Sequence, residues 1–406
     1  MSKNIKVIDS RMGNGKTEYM IRHMKDNKDK RFIFVTPYLT EVDRVVKSCE
    51  FIPPISKRDG GKHKSKLEHF KELVENGLSI VTTHQLFKSL DVESIKLLRE
   101  WDYTLVLDEV LEVISVSKLS KNEFSALEKL NLIKRENNLW VKGDDEELLL
   151  GYSSDWKYSE IVKNLVRNSV EIFEDRVLVW LFPVDLLESF QITYILTYMF
   201  DGYPLRPYLE LYNFNIEKSS IKDYKLVDYY KDSTSDIKPL INIIEGKLND
   251  IGDGHSAFTI YWFETHVKNN TDMVIDIRKG LNNFYNNKIQ CDMGDKKQST
   301  ILWTTFKDYM DIISVKGISD KNFLSHNVRA TNDYADTYNL AYLANRNYNP
   351  IIKKWLIDKK LNTNDDSFAL SEMIQWIFRS RIRKGESINV YIPSERMRNL
   401  LKAWLA

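Results

Sequence analysis

One stretch near the N-terminus decides the fold: Val7-Ile8-Asp9-Ser10-Arg11-Met12-Gly13-Asn14-Gly15-Lys16-Thr17. It joins an apolar strand to a glycine-bearing loop and a Lys-Thr pair, and a helical pattern follows over residues 18–24. In such a loop, glycines let backbone N–H groups turn inward around phosphate oxygens, lysine places a charge at the β- and γ-phosphates, and threonine ligates Mg²⁺. The start of the following helix also favours an anion. The stretch therefore predicts a nucleotide-phosphate site formed by Gly13, Asn14, Gly15, Lys16 and Thr17.

The loop departs from the usual phosphate-loop pattern at one position. Ser10 stands where the pattern G-x-x-x-x-G-K-[ST] has its first glycine. The alternative interpretation is a glycine turn in front of an ordinary helix. A strand before the loop and a helix after it are the context in which this motif binds phosphate, so the nucleotide interpretation is favoured.

Length and composition restrict the class of protein. A chain of 406 residues exceeds what one hydrophobic core usually serves, which predicts two domains. Neither a long apolar run nor a signal-peptide pattern occurs, so we expect a cytoplasmic protein without membrane contact. Cys49 and Cys291 lack the spacing of a disulfide framework or a zinc site. A net charge of +1 gives no global attraction to nucleic acid, so any binding would depend on local patches.

Strand and helix patterns alternate through the first part of the chain. Short apolar runs at 5–9, 31–36, 79–83 and 104–108 alternate with helical patterns at 17–25, 39–48, 63–75 and 92–99. This alternation predicts βαβ units and a parallel sheet, whose functional loops lie at the carboxyl ends of the strands. The sequence thus predicts an α/β domain over residues 1–211.

The pattern breaks over residues 115–176 and then changes again. Helical stretches at 121–132 and 159–170 flank a hairpin pattern at 132–141, which predicts an α-rich insertion. Sheet patterns resume at 177–180 and 193–197, and a polar linker is predicted at 212–223. A second α/β domain over 224–406 is predicted from apolar runs at 224–230, 257–262, 288–291, 301–304 and 388–392.

Two adjacent carboxylates end the fourth predicted strand. Asp108 and Glu109 follow Leu105-Val106-Leu107, about 90 residues after the phosphate loop. Neighbouring residues at a strand end point in different directions, so Asp108 could hold Mg²⁺ while Glu109 orients and deprotonates the attacking water. Such a pair alone would normally be a strand cap. Together with Lys16 it predicts an ATPase.

Polar residues follow the second and third predicted strands. Thr36 and Pro37 follow one strand, and Thr82, Thr83 and His84 follow the other. Hydroxyl groups and N–H groups at helix starts can contact a nucleic-acid backbone without reading its sequence. The alternative is that these threonines are helix N-caps.

A basic helical pattern lies near the C-terminus, in Gln375-Trp376-Ile377-Phe378-Arg379-Ser380-Arg381-Ile382-Arg383. Gln375, Arg379 and Arg383 are spaced four residues apart, which predicts one helical face. Arginines on that face could stabilise charge developing on a γ-phosphate. The alternative is a solvated basic helix.

The order of these parts resembles the superfamily 2 helicases, the DEAD/DEAH-like group, and especially compact phage-encoded members. The segments that carry the resemblance, over nearly the whole chain, are Ser10 to Thr17 (motif I), Thr36-Pro37 (Ia), Thr82-Thr83-His84 (the next DNA-contact motif), Asp108-Glu109 (II), Leu196-Thr197-Tyr198 (III), Thr305 (IV), Ala330-Thr331-Asn332 (V) and Gln375 to Arg383 (VI). The resemblance implies two RecA-like domains that use ATP and Mg²⁺. It implies nucleic-acid contacts from Thr305, Thr331 and Asn332.

The resemblance also implies catalytic arginines, and here the chain departs from the family. Arg379 occupies the first arginine position, but Ile382 occupies the second. Arg381 and Arg383 therefore compete for that role, and Arg383 is favoured because it would share the face of Arg379. No adenine-reading glutamine motif can be placed before Ser10, where nine residues precede it.

The function expected from these parts is an ATP-dependent helicase or translocase. DNA, single-stranded or forked, is the favoured substrate, with RNA as an alternative and phage replication or recombination as the role. One rival is a terminase-like packaging ATPase, but the acids Asp272, Asp276 and Asp292 form no nuclease arrangement. Another is a nucleotide-dependent DNA-binding switch that recruits a partner without unwinding.

The insertion has two open interpretations. Its basic and aromatic residues are Lys134, Arg135, Trp140, Lys142, Trp156 and Lys157. Basic residues beside aromatic rings suit contact with a nucleic-acid strand. Docking of a replication protein, or plain packing, is equally compatible with this composition.

Overall fold

The computed structural model describes residues 4–136, 139–144, 161, 164–165, 169–174, 177–249, 251, 254–268, 270–289, 300–316, 318, 322–326 and 333–406. The chain divides into two compact units. The first comprises Met1–Ser10, Gly15–Tyr229 and Asn349–Thr363, and the second comprises Arg11–Asn14, Tyr230–Tyr348 and Asn364–Ala406. No helix among the described residues is long and apolar enough to cross a membrane.

The first unit contains a seven-stranded sheet with helices between its strands. In chain order its elements up to residue 229 are β1 (Asn4–Asp9), α1 (Lys16–Asp26), β2 (Arg31–Thr36), α2 (Leu39–Cys49), α3 (Lys66–Glu75), β3 (Ile80–Thr83), α4 (His84–Lys88), α5 (Val92–Arg99), β4 (Tyr103–Asp108), β5 (Ile114–Lys118), α6 (Lys121–Lys129), β6 (Ile133–Glu136), β7 (Leu139–Lys142), β8 (Val170–Phe173), β9 (Val177–Leu181), α7 (Val184–Leu187), β10 (Ile192–Thr197), α8 (Leu205–Leu211), β11 (Asn215–Lys222) and β12 (Lys225–Asp228).

The strand order of this sheet is β12-β11-β1-β10-β4-β2-β3, and every pair except β11–β12 is parallel. Helices α1 and α2 pack against one face, where Met20 and Met24 meet Phe32 and Phe34. Strands covered on both faces read as continuous apolar runs, which is the pattern that predicted them. The parallel strands all end at one edge of the sheet, so the loops after β1, β2, β4 and β10 lie together.

The second unit contains a four-stranded parallel sheet of order β13-β16-β15-β14. Among the described residues, the α-helices and strands after residue 229 are β13 (Ile241–Ile244), α9 (Ile260–His266), α10 (Thr271–Asn282), β14 (Ile301–Thr304), α11 (Met310–Ile313), β15 (Asn339–Tyr342), α12 (Pro350–Asp358), α13 (Asp365–Ile377), β16 (Ile388–Tyr391) and α14 (Glu395–Leu405). The core of the second unit is aromatic, with Phe258, Phe263 and Trp303 fully buried. The predicted α/β class, with parallel sheets, is confirmed.

The insertion is part of the first unit, and strands make up much of what is described. β5, β9 and β8 form an antiparallel sheet, while β6 and β7 form the predicted hairpin. Helix α12, far along the chain, belongs to the same unit. The indole N–H of its Trp355 donates to Glu171 Oε2 at 3.0 Å, and Lys359 pairs with Glu171 at 2.9 Å. A helix distant in sequence thus anchors β8.

Several predicted elements differ from those observed. Residues 212–223, predicted as a linker, contain β11, which pairs with β1; one face of β11 is exposed, which explains its polar composition. The apolar run at 177–180 lies in the insertion sheet instead of the main sheet. The run at 257–262 leads into α9, because the Thr259 side chain accepts from the backbone N–H of Trp262 and caps a helix.

Candidate nucleotide-binding site

The loop after β1 has the backbone conformation that a phosphate cradle requires. Gly13 and Gly15 have φ angles of 90° and 83°, a region that side-chain-bearing residues rarely adopt. Helix α1 begins at Lys16 directly after Gly15. The ammonium group of Lys16 donates to the carbonyl oxygen of Ser10, so it bridges the two ends of the loop. The loop therefore curls back on itself with its lysine across it.

The departure at Ser10 has a structural reason. Ser10 is fully buried, and its hydroxyl oxygen accepts a hydrogen bond from the backbone N–H of Ile221 at 2.7 Å. Its own N–H donates to the carbonyl of Thr197 at 3.0 Å. On the next residue back, the Asp9 carbonyl accepts from the Ser220 hydroxyl at 3.0 Å. A serine at this position fastens the loop to β11, which a glycine could not do.

Two residues of the loop already bind an anionic oxygen pair. The N–H of Arg11 donates to Asp232 Oδ2 at 2.6 Å, and the amide of Asn14 donates to Asp232 Oδ1 at 3.3 Å. Arg11, Asn14 and Asp232 all belong to the second unit. The donors of the loop thus fit an anionic ligand.

Asp108 at the end of β4 is held by two hydroxyl groups. Thr17, the second residue of α1, donates to Asp108 Oδ1 at 3.2 Å. Thr36, the last residue of β2, donates to Asp108 Oδ2 at 3.1 Å. Both oxygens of the carboxylate therefore have fixed directions. The contact brings together the two predicted magnesium ligands, Thr17 and Asp108.

The surroundings of Asp108 raise its pKa. Burial, together with the neighbouring carboxylates of Glu109 and Glu41, raises the pKa of Asp108 from 3.8 to about 7, against the lowering effect of the hydrogen bonds from Thr36 and Thr17. Three carboxylates that repel one another form a field that a divalent cation would relieve. Glu41 was not predicted as part of the site, because its proximity to Asp108 is a tertiary contact.

Glu109 follows Asp108 with an unusual backbone. Its φ angle is 71°, a conformation that costs energy for a residue with a side chain and recurs at functional sites. Its N–H donates to the carbonyl of Leu196 at 3.0 Å, at the end of β10. This bond fixes the turn, and Glu109 remains half-buried. His84 lies beside it, with Nε2 at 3.0 Å from the Asp108 carbonyl oxygen.

Asp9 is a buried acid that the sequence analysis did not single out. Its carboxylate accepts from the N–H groups of Met199 and Phe200 at 2.8 and 3.0 Å. Burial raises the pKa of Asp9, against these two bonds. It connects the end of β1 to the loop after β10, where the motif III-like residues lie. The sequence did offer one signal for Asp9, because it is a carboxylate at the end of a predicted strand.

The predicted nucleic-acid contacts are found in different surroundings. Thr36 and Thr82 are buried, and Thr36 is used to orient Asp108. Thr83 is the N-cap of α4, where its hydroxyl accepts from the N–H of Leu86 at 3.4 Å, as the alternative interpretation expected. Pro37 and His84 are half-buried at the same edge of the sheet. Of these five residues, Pro37, Thr83 and His84 are partly exposed and so accessible to a nucleic-acid strand.

The second-unit candidates are partly described. Thr305 follows β14 and is fully buried, with its hydroxyl oxygen lacking a hydrogen-bond partner among the described residues. Its carbonyl oxygen lies 3.4 Å from His326 Nδ1. Burial deprives Thr305 of surface for direct strand contact in this conformation. Thr331 and Asn332 lie outside the described residues.

The predicted helical face through Gln375, Arg379 and Arg383 is wrong. Helix α13 ends at Ile377, and residues Arg381–Lys384 form a separate 3₁₀ turn. Ser380 causes the break, since its hydroxyl donates to the carbonyl of Ile377 at 2.7 Å and accepts from the N–H of Ile382 at 3.4 Å. The three side chains therefore do not share one helix face.

Arg381 has a defined structural role. Its guanidinium lies 3.9 Å from the centroid of the Tyr338 ring, and its Nε donates to the carbonyl of Ser387 at 2.6 Å. Arg379 is half-buried and Arg383 is exposed. Arg381, one candidate for the second arginine, is thus bonded within its own unit.

The oxygen donors present suit Mg²⁺. The hydroxyl of Thr17 and the carboxylate of Asp108 are hard ligands, and Mg²⁺ commonly binds one or two carboxylates together with substrate phosphates. No group of three or more His, Cys, Asp or Glu side chains placed to hold a metal occurs in the described part of the chain. The donor set therefore fits a metal that arrives with a nucleotide.

Comparison with solved structures identifies a known fold that this chain shares. The solved structure named XPD_APO superposes with a TM-score of 0.51 at 13% identity, covering 98% of this chain and 95% of that one. A second, named XPD_Helicase, gives a TM-score of 0.48 at 13% identity over 100% and 95%. The chain therefore shares its fold with XPD_APO, which confirms the predicted resemblance at the level of the fold.

Sequence comparison gives the particular family. The chain is 36% identical over 416 residues to the SPbeta prophage-derived uncharacterized protein YonV of Bacillus subtilis strain 168, covering 99% of both chains. Residues 235–405 match the model of the YonV C-terminal Rossmann-like domain. The chain belongs to the YonV family.

Proposed function

We propose that this protein is an ATP-dependent helicase or translocase that acts on single-stranded or forked DNA in phage replication or recombination, in the host cytoplasm. The observation that carries the proposal is the pair of hydrogen bonds from Thr17 and Thr36 to Asp108. The first bond joins α1, which follows the predicted phosphate loop, to the strand that ends in the acidic pair, and the second joins β2 to the same strand. The helicase fold and the prophage origin of the relative support the proposal.

The residues around the loop have distinct chemical tasks. Lys16 exchanges the Ser10 carbonyl for phosphate oxygens when a nucleotide binds. Asp108 and Thr17 hold the metal, which when bound neutralises charge on the phosphates. Glu109, whose backbone has a positive φ, orients the attacking water and takes its proton. Arg379 and Arg383 stabilise charge on the γ-phosphate, and Gln375 assists.

Coupling to a strand depends on the edge where β2 and β3 end. Pro37, Thr83 and His84 lie there, and His84 contacts the Asp108 carbonyl directly. A nucleic-acid strand bound at this edge can therefore shift the positions of Asp108 and Glu109. Hydrolysis of ATP can in turn change how tightly the edge holds the nucleic acid. Thr36 and Thr82 are buried at this edge, while Thr331 and Asn332 remain predicted contacts of the second unit.

The test is a strand-displacement assay with forked DNA, a matched RNA duplex and ATP with Mg²⁺. The wild-type chain should hydrolyse ATP, be stimulated by single strands and separate the DNA fork. Lys16→Ala should lose all three activities while its circular dichroism spectrum is unchanged. Lys25→Ala, an exposed lysine on the same helix, is the matched control and should behave as wild type.

Two other outcomes would replace the proposal. Nucleotide-dependent DNA binding without displacement or translocation would identify a switch that recruits a partner. Cleavage of DNA with Mn²⁺, together with ATPase activity, would identify a packaging-type enzyme. The absence of any Lys16-dependent hydrolysis would refute the ATPase itself.

A further inference from the structure

The hairpin β11–β12 places an aromatic ring against the phosphate loop. A Cβ atom on Gly15 would lie 2.8 Å from Cδ1 and Cε1 of Tyr224, so the ring lies directly against the glycine backbone. Tyr224 is nevertheless 54% exposed. An exposed tyrosine ring in contact with the loop is a flat surface beside the place where phosphates are proposed to bind.

The hairpin holds this ring in a conformation that general turn preferences do not favour. Asp223 and Tyr224 form a two-residue turn between Lys222 and Lys225, with φ angles of 50° and 59°. Such turns favour Asn-Gly or Asp-Gly because both central residues need positive φ. A bulky residue with positive φ is uncommon, and such strain recurs at ligand sites.

The hairpin is fixed to the loop on its other side. Ile221 donates to the Ser10 hydroxyl, and the Ser220 hydroxyl donates to the Asp9 carbonyl. β11 also pairs with β1 in parallel register from Asn4 to Ile8. The position of Tyr224 relative to the loop is therefore set by the sheet itself.

A cation completes the surface. The guanidinium of Arg22 lies 5.2 Å from the centroid of the Tyr224 ring, two turns along α1 from Gly15. Arg22 also pairs with Glu18 at 3.3 Å, and Glu18 pairs with Arg44 at 2.8 Å. The arginine is thus oriented before any ligand arrives. Nucleobases stack on tyrosine rings and on guanidinium planes.

We infer that Tyr224, with Arg22, forms the base subsite of the nucleotide whose phosphates the loop binds. This inference rests on the proposed function. A stacking surface contacts the face of a base and leaves its edge unread, so the subsite favours purines over pyrimidines and accepts ATP and GTP about equally.

The experiment separates the base from the phosphates. Binding of ATP, GTP, CTP and inorganic tripolyphosphate, each with Mg²⁺, is measured on the full chain by calorimetry. Tyr224→Asn is the main variant, because asparagine tolerates positive φ and removes the ring without straining the turn. Tyr224→Phe keeps the stacking surface. Tyr229→Ala is the matched control, an exposed tyrosine whose ring also lies near a cation, with Lys218 at 4.2 Å.

Loss of stacking should weaken ATP and GTP binding in Tyr224→Asn by about 10-fold, the scale expected for one base on one ring. Binding of CTP should fall less, and binding of tripolyphosphate should not change. Tyr224→Phe and Tyr229→Ala should match the wild type. An equal loss for tripolyphosphate would overturn the inference, because the ring would then merely support the loop. Unchanged or tighter ATP binding would overturn it too.

Failure of the proposed function gives a different result. If the wild type binds neither tripolyphosphate nor ATP, or binds both independently of Lys16, the phosphate site itself is refuted. If both bind through Lys16 with equal affinity and Tyr224→Asn changes nothing, the phosphate site stands and the base subsite is refuted.

Discussion

The hydroxyl of Thr17 donates to Asp108 Oδ1 across 3.2 Å, so the helix that follows the phosphate loop is bonded directly to the strand that bears the acidic pair. These residues are 91 positions apart in sequence. Thr36 binds the other carboxylate oxygen, which leaves Asp108 no freedom to turn away. The two proposed metal ligands are thus prepared before a metal arrives.

The first prediction concerns this bond. Thr17→Val removes the hydroxyl at nearly constant shape, so Mg²⁺-dependent ATP hydrolysis should fall by on the order of 10²-fold. Thr17→Ser keeps the hydroxyl and should retain most of the activity. Steady-state kcat measured over a Mg²⁺ titration checks this, and equal activity in the two variants would show that the hydroxyl is not a ligand.

The second prediction concerns Glu109. Glu109→Gln removes the base while preserving shape, so kcat should fall by on the order of 10²-fold to 10⁴-fold with ATP binding intact. Single-turnover experiments with labelled ATP should show a trapped complex. Glu112→Gln, an exposed neighbour that pairs with Lys88, is the control and should hydrolyse normally. Loss of ATP binding in Glu109→Gln would mean that Glu109 holds the metal.

The third prediction concerns stability and pH. The pKa of Asp108 is raised to about 7, so between pH 4 and pH 7 the folded state holds a proton that the unfolded state has lost. Its contribution to stability is therefore present at low pH and is lost as pH rises through 7, with a total on the order of a few kcal/mol. The Asp108→Asn variant has no titrating group at this position, so its stability should not fall with rising pH for this reason.

Melting temperatures in EDTA check the pH prediction. The melting temperature of Asp108→Asn should rise relative to that of the wild type between pH 5 and pH 8. The raised pKa of Asp9 acts in the same direction but is present in both proteins, so it cancels. A difference in melting temperature that is the same at pH 5 and pH 8 would contradict the raised pKa of Asp108.

The fourth prediction distinguishes the arginines. Arg379→Ala and Arg383→Ala should each lower kcat by on the order of 10²-fold or more with little change in ATP affinity, as for contacts made in the transition state. Arg381→Ala should instead lower the melting temperature, because it loses Tyr338 and Ser387. A full kcat defect at Arg381 with a silent Arg383 would reverse the assignment.

The fifth prediction concerns the insertion hairpin. Lys134 pairs with Asp144 across the described part of the hairpin. If the hairpin contacts DNA, Lys134→Ala combined with Arg135→Ala should weaken binding and reduce its salt dependence, with basal ATPase unchanged. Asp144→Ala removes a carboxylate that pairs with Lys134 and should strengthen binding. Fluorescence anisotropy at several salt concentrations checks both, and unaltered salt slopes would favour partner docking or plain packing of the insertion.

Local patterns predicted the parts whose conformation depends on neighbouring residues. Gly13 and Gly15 needed positive φ, Lys16 began a helix, and apolar runs became the buried strands β1, β2 and β4. Helix α13 shows the limit of such patterns. Its four-residue spacing continued to Arg383, but the Ser380 side chain satisfied backbone groups locally and ended the helix.

The sequence alone was enough to predict the glycine-bearing loop before α1, the acidic pair and the α/β class, because glycine conformation and strand burial depend on a few adjacent residues. Tertiary structure alone decided that Thr17 and Thr36 hold Asp108, that Ser10 anchors β11, and that Tyr224 lies on Gly15. The physical reason is sheet order. Strands far apart in sequence become neighbours only when all of them pack together, and that cooperative choice has no local signature.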